Sequence, residues 1–157
     1  MAGTITSPIG PALSVRGTLL QVGTAGSPET MYTIANATDV SLPIMADTVD
    51  VTNVGNLWKV KIPTLLDLGK ISFKIYWIME EVTHRNSLNG GGVPAGLRYL
   101  LVQQLVRDYQ FVYPDGNNST DAFPAYVTGF AITGKVGAVY EASIDLTYSG
   151  PTVPSLV

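Results

Sequence analysis

The fold of this chain is decided by residues 70–81, which read Lys-Ile-Ser-Phe-Lys-Ile-Tyr-Trp-Ile-Met-Glu-Glu. Apolar and polar side chains alternate along this run, and successive side chains of a β-strand point to opposite faces. One face of the predicted strand carries five large apolar groups: Ile71, Phe73, Ile75, Trp77 and Met79. We expect this face to anchor the core. Glu80 and Glu81 are adjacent, so on a strand they point apart and form a solvated strand end, not a carboxylate pair.

Two segments upstream alternate in the same way. Residues 47–53 place Val49 and Val51 on one face of a predicted half-buried strand. The opposite face of that strand carries Thr48, Asp50 and Thr52. In residues 58–62, Lys59 and Lys61 face away from Val60 and Ile62. Both segments therefore predict strands with one apolar and one polar side.

The rest of the chain predicts more strands and one principal helix. The other predicted strands are residues 18–22, 30–40, 108–113, 122–133 and 139–148. Leucines spaced by three and four predict an amphipathic helix from Ala95 to about Leu105. Shorter helical segments are predicted at 65–68 and 83–88. This order predicts a mainly β (α+β) fold, an antiparallel β-sandwich or barrel with one flanking α-helix.

Proline, glycine and small polar residues mark both ends of the chain. We expect residues 1–16 to be an N-terminal arm, 17–150 a single β domain and 151–157 a loose C-terminal tail. The length of 157 residues fits one core.

The composition is poor in charge. Charged residues make up 13% of the chain, against roughly 25% in an average soluble domain, while the apolar share of 46% is ordinary. A surface with so few charges is expected to be covered in part by other subunits. The net charge of −3 argues against a basic surface that would hold nucleic acid.

Several classes of chemistry lack their residues. The chain has no cysteine, no apolar run long enough to span a bilayer and no signal-peptide pattern at its start, so we expect neither a membrane association nor export. His84, the single histidine, has no triad partners around it and is expected to be a surface helix start. Glycines 90, 92 and 96 do not match a nucleotide-binding loop. The sequence thus predicts no enzyme, no metal and no cofactor.

Seven short groups of residues follow one another in a recognisable order. They are 17–23 (Gly-Thr-Leu-Leu-Gln-Val-Gly), 27–30 with 33–35 (Ser-Pro-Glu-Thr, Thr-Ile-Ala), 38–41 (Thr-Asp-Val-Ser), 47–52 (Asp-Thr-Val-Asp-Val-Thr), 62–65 with 67–69 (Ile-Pro-Thr-Leu, Asp-Leu-Gly), 111–116 (Phe-Val-Tyr-Pro-Asp-Gly) and 125–130 (Ala-Tyr-Val-Thr-Gly-Phe). In this order the chain resembles the major tail tube protein of long-tailed, non-contractile (siphovirus-type) bacteriophages. The glycine-rich residues 89–96 depart from that family's usual compact connection.

The resemblance implies a structural virion protein. Six subunits would form a ring whose sheets join into one barrel, and stacked rings would form a hollow tail tube through which DNA is ejected. The implied partners are other copies of the chain, a tape measure protein in the lumen, the tail terminator and the distal tail or baseplate proteins. Double-stranded DNA would pass without specific binding. The protein would reside in the phage tail, and in the host cytoplasm before assembly.

The same resemblance maps the implied surfaces onto this chain. Residues 32–40 and 47–53, extended through 58–62, would line the channel, and residues 41–46, or the longer 41–57, would contact the next ring. The predicted ring-stacking loop consists of Leu42, Pro43, Ile44 and Met45, four apolar residues whose exposure at a loop tip is costly unless a partner covers them. The predicted lumen-facing residues are Thr38, Asp39, Thr48, Asp50 and Thr52. Acidic and neutral side chains there would not retain DNA phosphates.

Two alternatives stay open at this point. The inner tube protein of a contractile tail or secretion-type machine shares the ring architecture. A carbohydrate-binding β-sandwich is more distant, because Trp77 is predicted on the core face and Trp58 at a strand start, which leaves no exposed aromatic platform.

Overall fold

The computed structural model describes residues 17–26, 28–85, 87 and 95–150, together with the backbone of 153–155. The predicted arm at 1–16 and the glycines at 90–92 lie outside these residues. The strands are β1 (Leu19–Gly23), β2 (Met31–Thr33), β3 (Ala37–Ser41), β4 (Ile44–Asp50), β5 (Lys61–Leu68), β6 (Ile71–Tyr76), β7 (Val106–Val112), β8 (Thr120–Thr133), β9 (Glu141–Tyr148) and β10 (Val153–Ser155). The helices are α1 (Val82–Arg85) and α2 (Leu97–Gln103). The predicted mainly antiparallel β fold is confirmed.

The main sheet has the strand order β2-β1-β7-β8-β9-β6-β3, with β10 added beside β8. Its two edge strands, β2 and β3, follow one another in the chain. Between them, the Ile34 N–H donates to the Leu20 carbonyl at 2.8 Å, and the Asn36 carbonyl accepts from the Tyr76 N–H at 3.2 Å. Residues 34–36 thus cross from one edge to the other, which means that the sheet curls back on itself.

This crossover corrects the prediction of one long strand over residues 30–40. Asn36 has φ 55°, in the left-handed region that ends a strand. The segment is rich in residues that favour β-strands, but these residues belong to two strands on opposite edges of the main sheet.

The core lies inside the curled sheet. Ile71, Phe73 and Ile75 on β6 are buried as predicted. The strand ends at Tyr76, however, so Trp77 is only half-buried and Met79 is exposed. The predicted five-residue face is therefore a three-residue face. Facing strands complete the core with stacked aromatic rings, among them Tyr109 and Phe123 with centroids 6.0 Å apart.

Helix α2 is shorter than predicted. It buries Leu97 and Leu100 and ends at Gln104, whose φ of 52° lets its N–H reach back to the carbonyls of Leu100 and Leu101. The left-handed conformation stops the helix two residues before β7 begins at Val106.

His84 is buried, and its prediction as a surface helix start is wrong. Its Nε2 lies 2.9 Å from the Ala35 carbonyl oxygen, and its Nδ1 lies 3.1 Å from the Ile78 nitrogen. Nδ1 also lies 3.2 Å from the Ile78 carbonyl oxygen. In the tautomer with the hydrogen on Nε2, the ring donates to the Ala35 carbonyl and accepts from the Ile78 N–H. The ring also stacks on Trp77 at 5.7 Å. The histidine therefore fastens α1 to the crossover.

The C-terminal residues also differ from the prediction of a loose tail. Residues 153–155 pair antiparallel with β8, with Val153 opposite Ala122 and Ser155 opposite Thr120. The proline at 154 is tolerated because β10 pairs with a neighbour on one side only among the described residues.

Candidate assembly site

Strands β4 and β5 form a hairpin that is a sheet of its own. Residues 44–67 are all exposed, and the buried side chains begin again at Leu68. The hairpin joins the main sheet at its base, where the Gly69 N–H donates to the Pro43 carbonyl at 3.2 Å. The predicted helical turn at 65–68 is wrong, because these residues pair with β4. A long two-stranded element without a core on either side is unusual, since such hairpins are marginal alone in water.

The register gives the hairpin two different faces. Val49 pairs with Ile62, and Val51 bonds to the Val60 carbonyl at 2.9 Å, so these four side chains lie together on one side. We call Val49, Val51, Val60 and Ile62 the hairpin apolar face. On the other side, Thr48 lies opposite Pro63 and Asp50 opposite Lys61. Two residues of β5 oppose Asp47, and this bulge leaves the alternation of β4 intact.

The predicted alternation of residues 47–53 is confirmed, but the described part of the chain does not provide the predicted half-burial. Val49 is 49% exposed and Ile62 is 48% exposed. The strand pattern therefore predicts one buried face, and among the described residues nothing buries it.

Hydrogen bonds hold the tip of the hairpin in shape. Both the hydroxyl and the N–H of Thr52 donate to the Asp50 carboxylate, and the Val60 N–H donates to the Thr52 hydroxyl at 2.9 Å. The Thr52 hydroxyl and N–H hold the pKa of the Asp50 carboxyl below its usual value. Asp50 and Thr52, both predicted to face the lumen, thus also shape the turn that follows β4.

The predicted lumen-facing residues fall into two groups. Thr48, Asp50 and Thr52 share the polar face of the hairpin, opposite the hairpin apolar face. Thr38 and Asp39 lie on β3 of the main sheet, where Asp39 is exposed and 3.9 Å from the Lys74 ammonium. The polar face is also not purely acidic, because Lys61 lies directly opposite Asp50.

The predicted ring-stacking residues lie at the base of the hairpin and not at a loop tip. Leu42 and Pro43 are half-buried, and Leu42 packs against the core. Ile44 and Met45 begin β4 on opposite faces and are both more than half exposed. Met45 and Pro43 close over Gly69, where an added Cβ would lie 2.9 Å from the Met45 methyl carbon. Glycine at 69 therefore permits the tight base from which the hairpin leaves the body.

The exposed tip of the hairpin lies around the turn after β4. Of the two ranges predicted to contact the next ring, only the longer one, residues 41–57, includes this turn. Val54 and Leu57 are fully exposed, and Trp58 is 83% exposed. Trp58 precedes β5 and does not start it, so the prediction that it would not be exposed is wrong. Trp77, in contrast, packs edge-on against Phe130 and stacks on His84. The signal for the tip was present in the sequence, as three large apolar residues around a Gly-Asn turn.

Within the described residues, no group of three or more histidine, aspartate or glutamate side chains could hold a metal ion. Among the helices in the described ranges, none has the length and apolarity required to cross a membrane.

Comparison of the whole structure with solved structures gives a consistent result. A chain from the tail of an empty gene transfer agent particle, refined with C6 symmetry, superposes with a TM-score of 0.72 at 16% identity, over 92% of this chain and 99% of that one. A chain of the SPP1 tail tube superposes with a TM-score of 0.69 at 9% identity, over 91% and 78%. The fold is that of tail tube proteins.

The tail tube fold extends to contractile systems. A chain from the sheath/tube terminator of the extracellular contractile injection system PVC superposes with a TM-score of 0.59 at 15% identity, over 97% of this chain and 99% of that one. No family model and no curated protein matches the sequence. The tail tube fold is thus shared with these solved structures at identities of 9–16%.

Proposed function

We propose that this chain is the structural subunit of a tail tube, in which hexameric rings stack into a hollow tube for DNA, without enzymatic activity. One observation carries the proposal: in a chain with the tail tube fold, residues 44–67 form an exposed hairpin whose apolar face is left uncovered by the rest of the described residues.

The energetics of the hairpin apolar face favour a partner. Full burial of a Val or Ile side chain contributes about 1.5–3 kcal/mol, and these side chains are roughly half exposed, so covering them contributes roughly half of that each. Covering all four would contribute roughly 3–6 kcal/mol, which offsets part of the free-energy cost of association and leaves the rest to further contacts between subunits.

Ring formation is supported by the sheet edges and by the comparisons. Within the described residues, β2 and β3 each pair on one side only, so both edges can accept a strand from a neighbour. The gene transfer agent tail that shares this fold was refined with C6 symmetry. Closing six copies at these edges would remove them from solvent and would account for the low charge content of 13%.

The channel wall is assigned to the polar face of the hairpin and to β3. Thr38, Asp39, Thr48, Asp50 and Thr52 would face the lumen together with Lys61. With acidic, neutral and basic groups mixed, such a wall has no basic stripe to retain phosphates. The tape measure protein would occupy this lumen before DNA, and terminator and baseplate proteins would close the ends. The protein would reside in the virion tail, after assembly from subunits in the host cytoplasm.

A tube of the non-contractile type is the form we propose, with the inner tube of a contractile machine as the second candidate. The gene transfer agent and SPP1 chains superpose with TM-scores of 0.72 and 0.69. The PVC chain, from a system with a sheath, gives 0.59. The SPP1 tail tube chain scores above the chain from the contractile system, and this order supports the non-contractile form.

A pair of neighbouring substitutions tests the assembly role. Val49→Asp puts a charge on the hairpin apolar face and should abolish tubes in electron micrographs of the purified chain, because the charge would be buried without a partner. Thr48→Asp, the adjacent residue on the polar face, carries the same charge and should leave tubes intact. Tubes of normal length from Val49→Asp, or no tubes from the unaltered chain, would contradict the proposal.

The channel wall is tested with lysine. Thr48→Lys combined with Asp39→Lys should make assembled tubes bind short DNA duplexes at least about tenfold more tightly at low salt, with the gain lost as salt rises. Thr48→Ser with Asp39→Asn is the matched control without added positive charge. Equal DNA binding by lysine tubes and control tubes would show that these side chains do not face the lumen.

A further inference from the structure

The turn between β1 and β2 carries a glutamate that folds back over the main sheet. The turn leaves β1 after Gly23 and enters β2 at Met31. It is closed by a hydrogen bond from the Thr24 N–H to the Thr30 carbonyl at 3.1 Å, and the Thr30 N–H donates to the Thr24 hydroxyl at 3.3 Å. This closure places the side chain of Glu29 next to β1.

Gly23 provides the space for the Glu29 carboxyl group. A Cβ added at residue 23 would collide with Glu29 Oε1, so any other residue would displace this side chain. The Ala25 N–H donates to the same oxygen at 3.4 Å. The carboxyl group therefore lies directly over the backbone of β1.

Asp108 on β7 lies beside that position. Val22 pairs with Tyr109 and both are buried, so the adjacent residues, Gly23 and Asp108, point to the outer face of the sheet. Neighbouring strands are about 4.8 Å apart. The Glu29 carboxyl over Gly23 forms a side-chain hydrogen bond with the Asp108 carboxyl. Because an ionised carboxylate only accepts, this bond requires a proton on one of the two groups. We call Glu29 and Asp108 the carboxyl pair.

The surroundings of the carboxyl pair contain little compensating charge. Two open depressions of about 340 Å³ each adjoin the pair, and the walls of both include Glu29, Asp108 and Pro124. Among the described residues that line them, Arg107 is the one cation, and the residues from β2 and β8 are uncharged. Arg107 is only 9% exposed, and its guanidinium donates to the Val106 carbonyl at 2.7 Å.

This environment favours the protonated form. Partial burial and the Asp108 carboxyl raise the pKa of Glu29 above its usual value, while the Ala25 N–H and Arg107 act in the opposite direction. Since the two carboxyl groups interact directly, the proton belongs to the pair. A pKa that is higher in the folded chain than in the unfolded chain gives a stabilisation that is complete below the unfolded pKa. This stabilisation is lost as the pH rises through the folded pKa.

We propose that the carboxyl pair is a pH-sensitive contact that fixes the turn between β1 and β2 to β7. With one shared proton the pair joins the turn to the sheet, and without it two carboxylates repel each other and the turn loosens. Among the described residues β2 pairs with β1 alone, so loosening the turn also loosens this edge of the main sheet. The inference concerns the single chain and does not depend on tube formation.

Thermal unfolding of the full chain tests the pair. Glu29→Gln keeps a hydrogen-bond donor without the charge, so it should raise the Tm by about 1–2 °C near pH 8 and leave it unchanged near pH 4. The shift is small because both side chains are exposed. Asp108→Asn should give the same gain near pH 8. The double variant should gain no more than either single variant, because each removes the same repulsion.

The matched control is Glu80→Gln, at an exposed glutamate on another part of the surface, which should leave the Tm nearly unchanged at both pH values. A Tm for Glu29→Gln that does not rise near pH 8, or gains that add in the double variant, would overturn the inference.

Hydrogen exchange followed by mass spectrometry shows whether the effect is local. Near pH 8, residues 24–30 of the unaltered chain should exchange at least about threefold faster than the same residues of Glu29→Gln, and near pH 4 the two chains should match. Residues of α2 should exchange equally in both chains at each pH. Equal exchange of residues 24–30 near pH 8 would show that the carboxyl pair does not control the turn, and it would leave the tube proposal untouched.

Discussion

Excising residues 46–66 and joining Met45 to Asp67 through Asn-Gly should give a chain that folds but never forms a tube. Met45 pairs with Asp67, so a two-residue turn closes this hairpin without changing its base. The excised residues are all exposed, so the body loses none of its buried side chains. We expect the free energy of unfolding to change by less than about 1 kcal/mol, because exposed positions contribute little to stability.

The readouts for this excision are urea unfolding and electron microscopy of the same preparation. The matched control keeps the hairpin at full length with Thr48→Ser on its polar face, and it should form tubes. A shortened chain that still forms tubes would show that the hairpin is dispensable for stacking. A shortened chain that fails to fold would show that the hairpin supports the body through contacts that its exposure does not reveal.

Replacing His84 by alanine should cost about 3–5 kcal/mol of folding free energy, a large loss for one side chain on a four-residue helix. The substitution removes the hydrogen bonds to the Ala35 carbonyl and the Ile78 N–H, two part-buried backbone groups, and opens a cavity where the fully buried ring was, at about 2–5 kcal/mol for a large side chain. It also removes the ring that stacks on Trp77. For a chain of this size the loss corresponds to a drop of roughly 10 °C in Tm.

The control for His84→Ala is Arg85→Ala, the exposed next residue of α1, which should change Tm by no more than about 1–2 °C. Thermal unfolding by circular dichroism of the Val49→Asp background keeps both variants unassembled. A loss below about 1 kcal/mol for His84→Ala would mean that water replaces the imidazole at Ala35 and Ile78, and that α1 does not hold the crossover.

The alternation of apolar and polar residues predicted most of the strands and the mainly β fold. Residues 71–76 and 141–148 alternate cleanly because each faces the core on one side, and alternation is all that such a strand requires. The crossover at 34–36 was not predictable from composition, because Ile34, Ala35 and Asn36 break a β-rich run with a backbone turn that only tertiary contacts reveal. His84 was misplaced for the same reason, since its partners Ala35 and Ile78 come from two separate loops.

The sequence predicted which residues of the candidate site share a face, but it did not predict what that face meets in the folded protein. Alternation at 47–53 correctly assigned two faces, because side-chain direction follows from the strand alone. Whether an apolar face meets its own core or another molecule depends on where the rest of the chain lies, and the sequence of β4 does not carry that.

The crossover at residues 34–36 also determines how a closed ring would carry load. Both edges of the sheet lie within residues 31–41, three residues apart along the backbone. In a ring joined at these edges, outward pressure on the wall becomes tension around its circumference. That tension passes from one joint to the next through a short covalent path, which α1 clamps through Thr83 and His84. Within each subunit the load would then be carried by peptide bonds and not by core packing, so the hydrogen-bonded joints between subunits would set the strength of the wall.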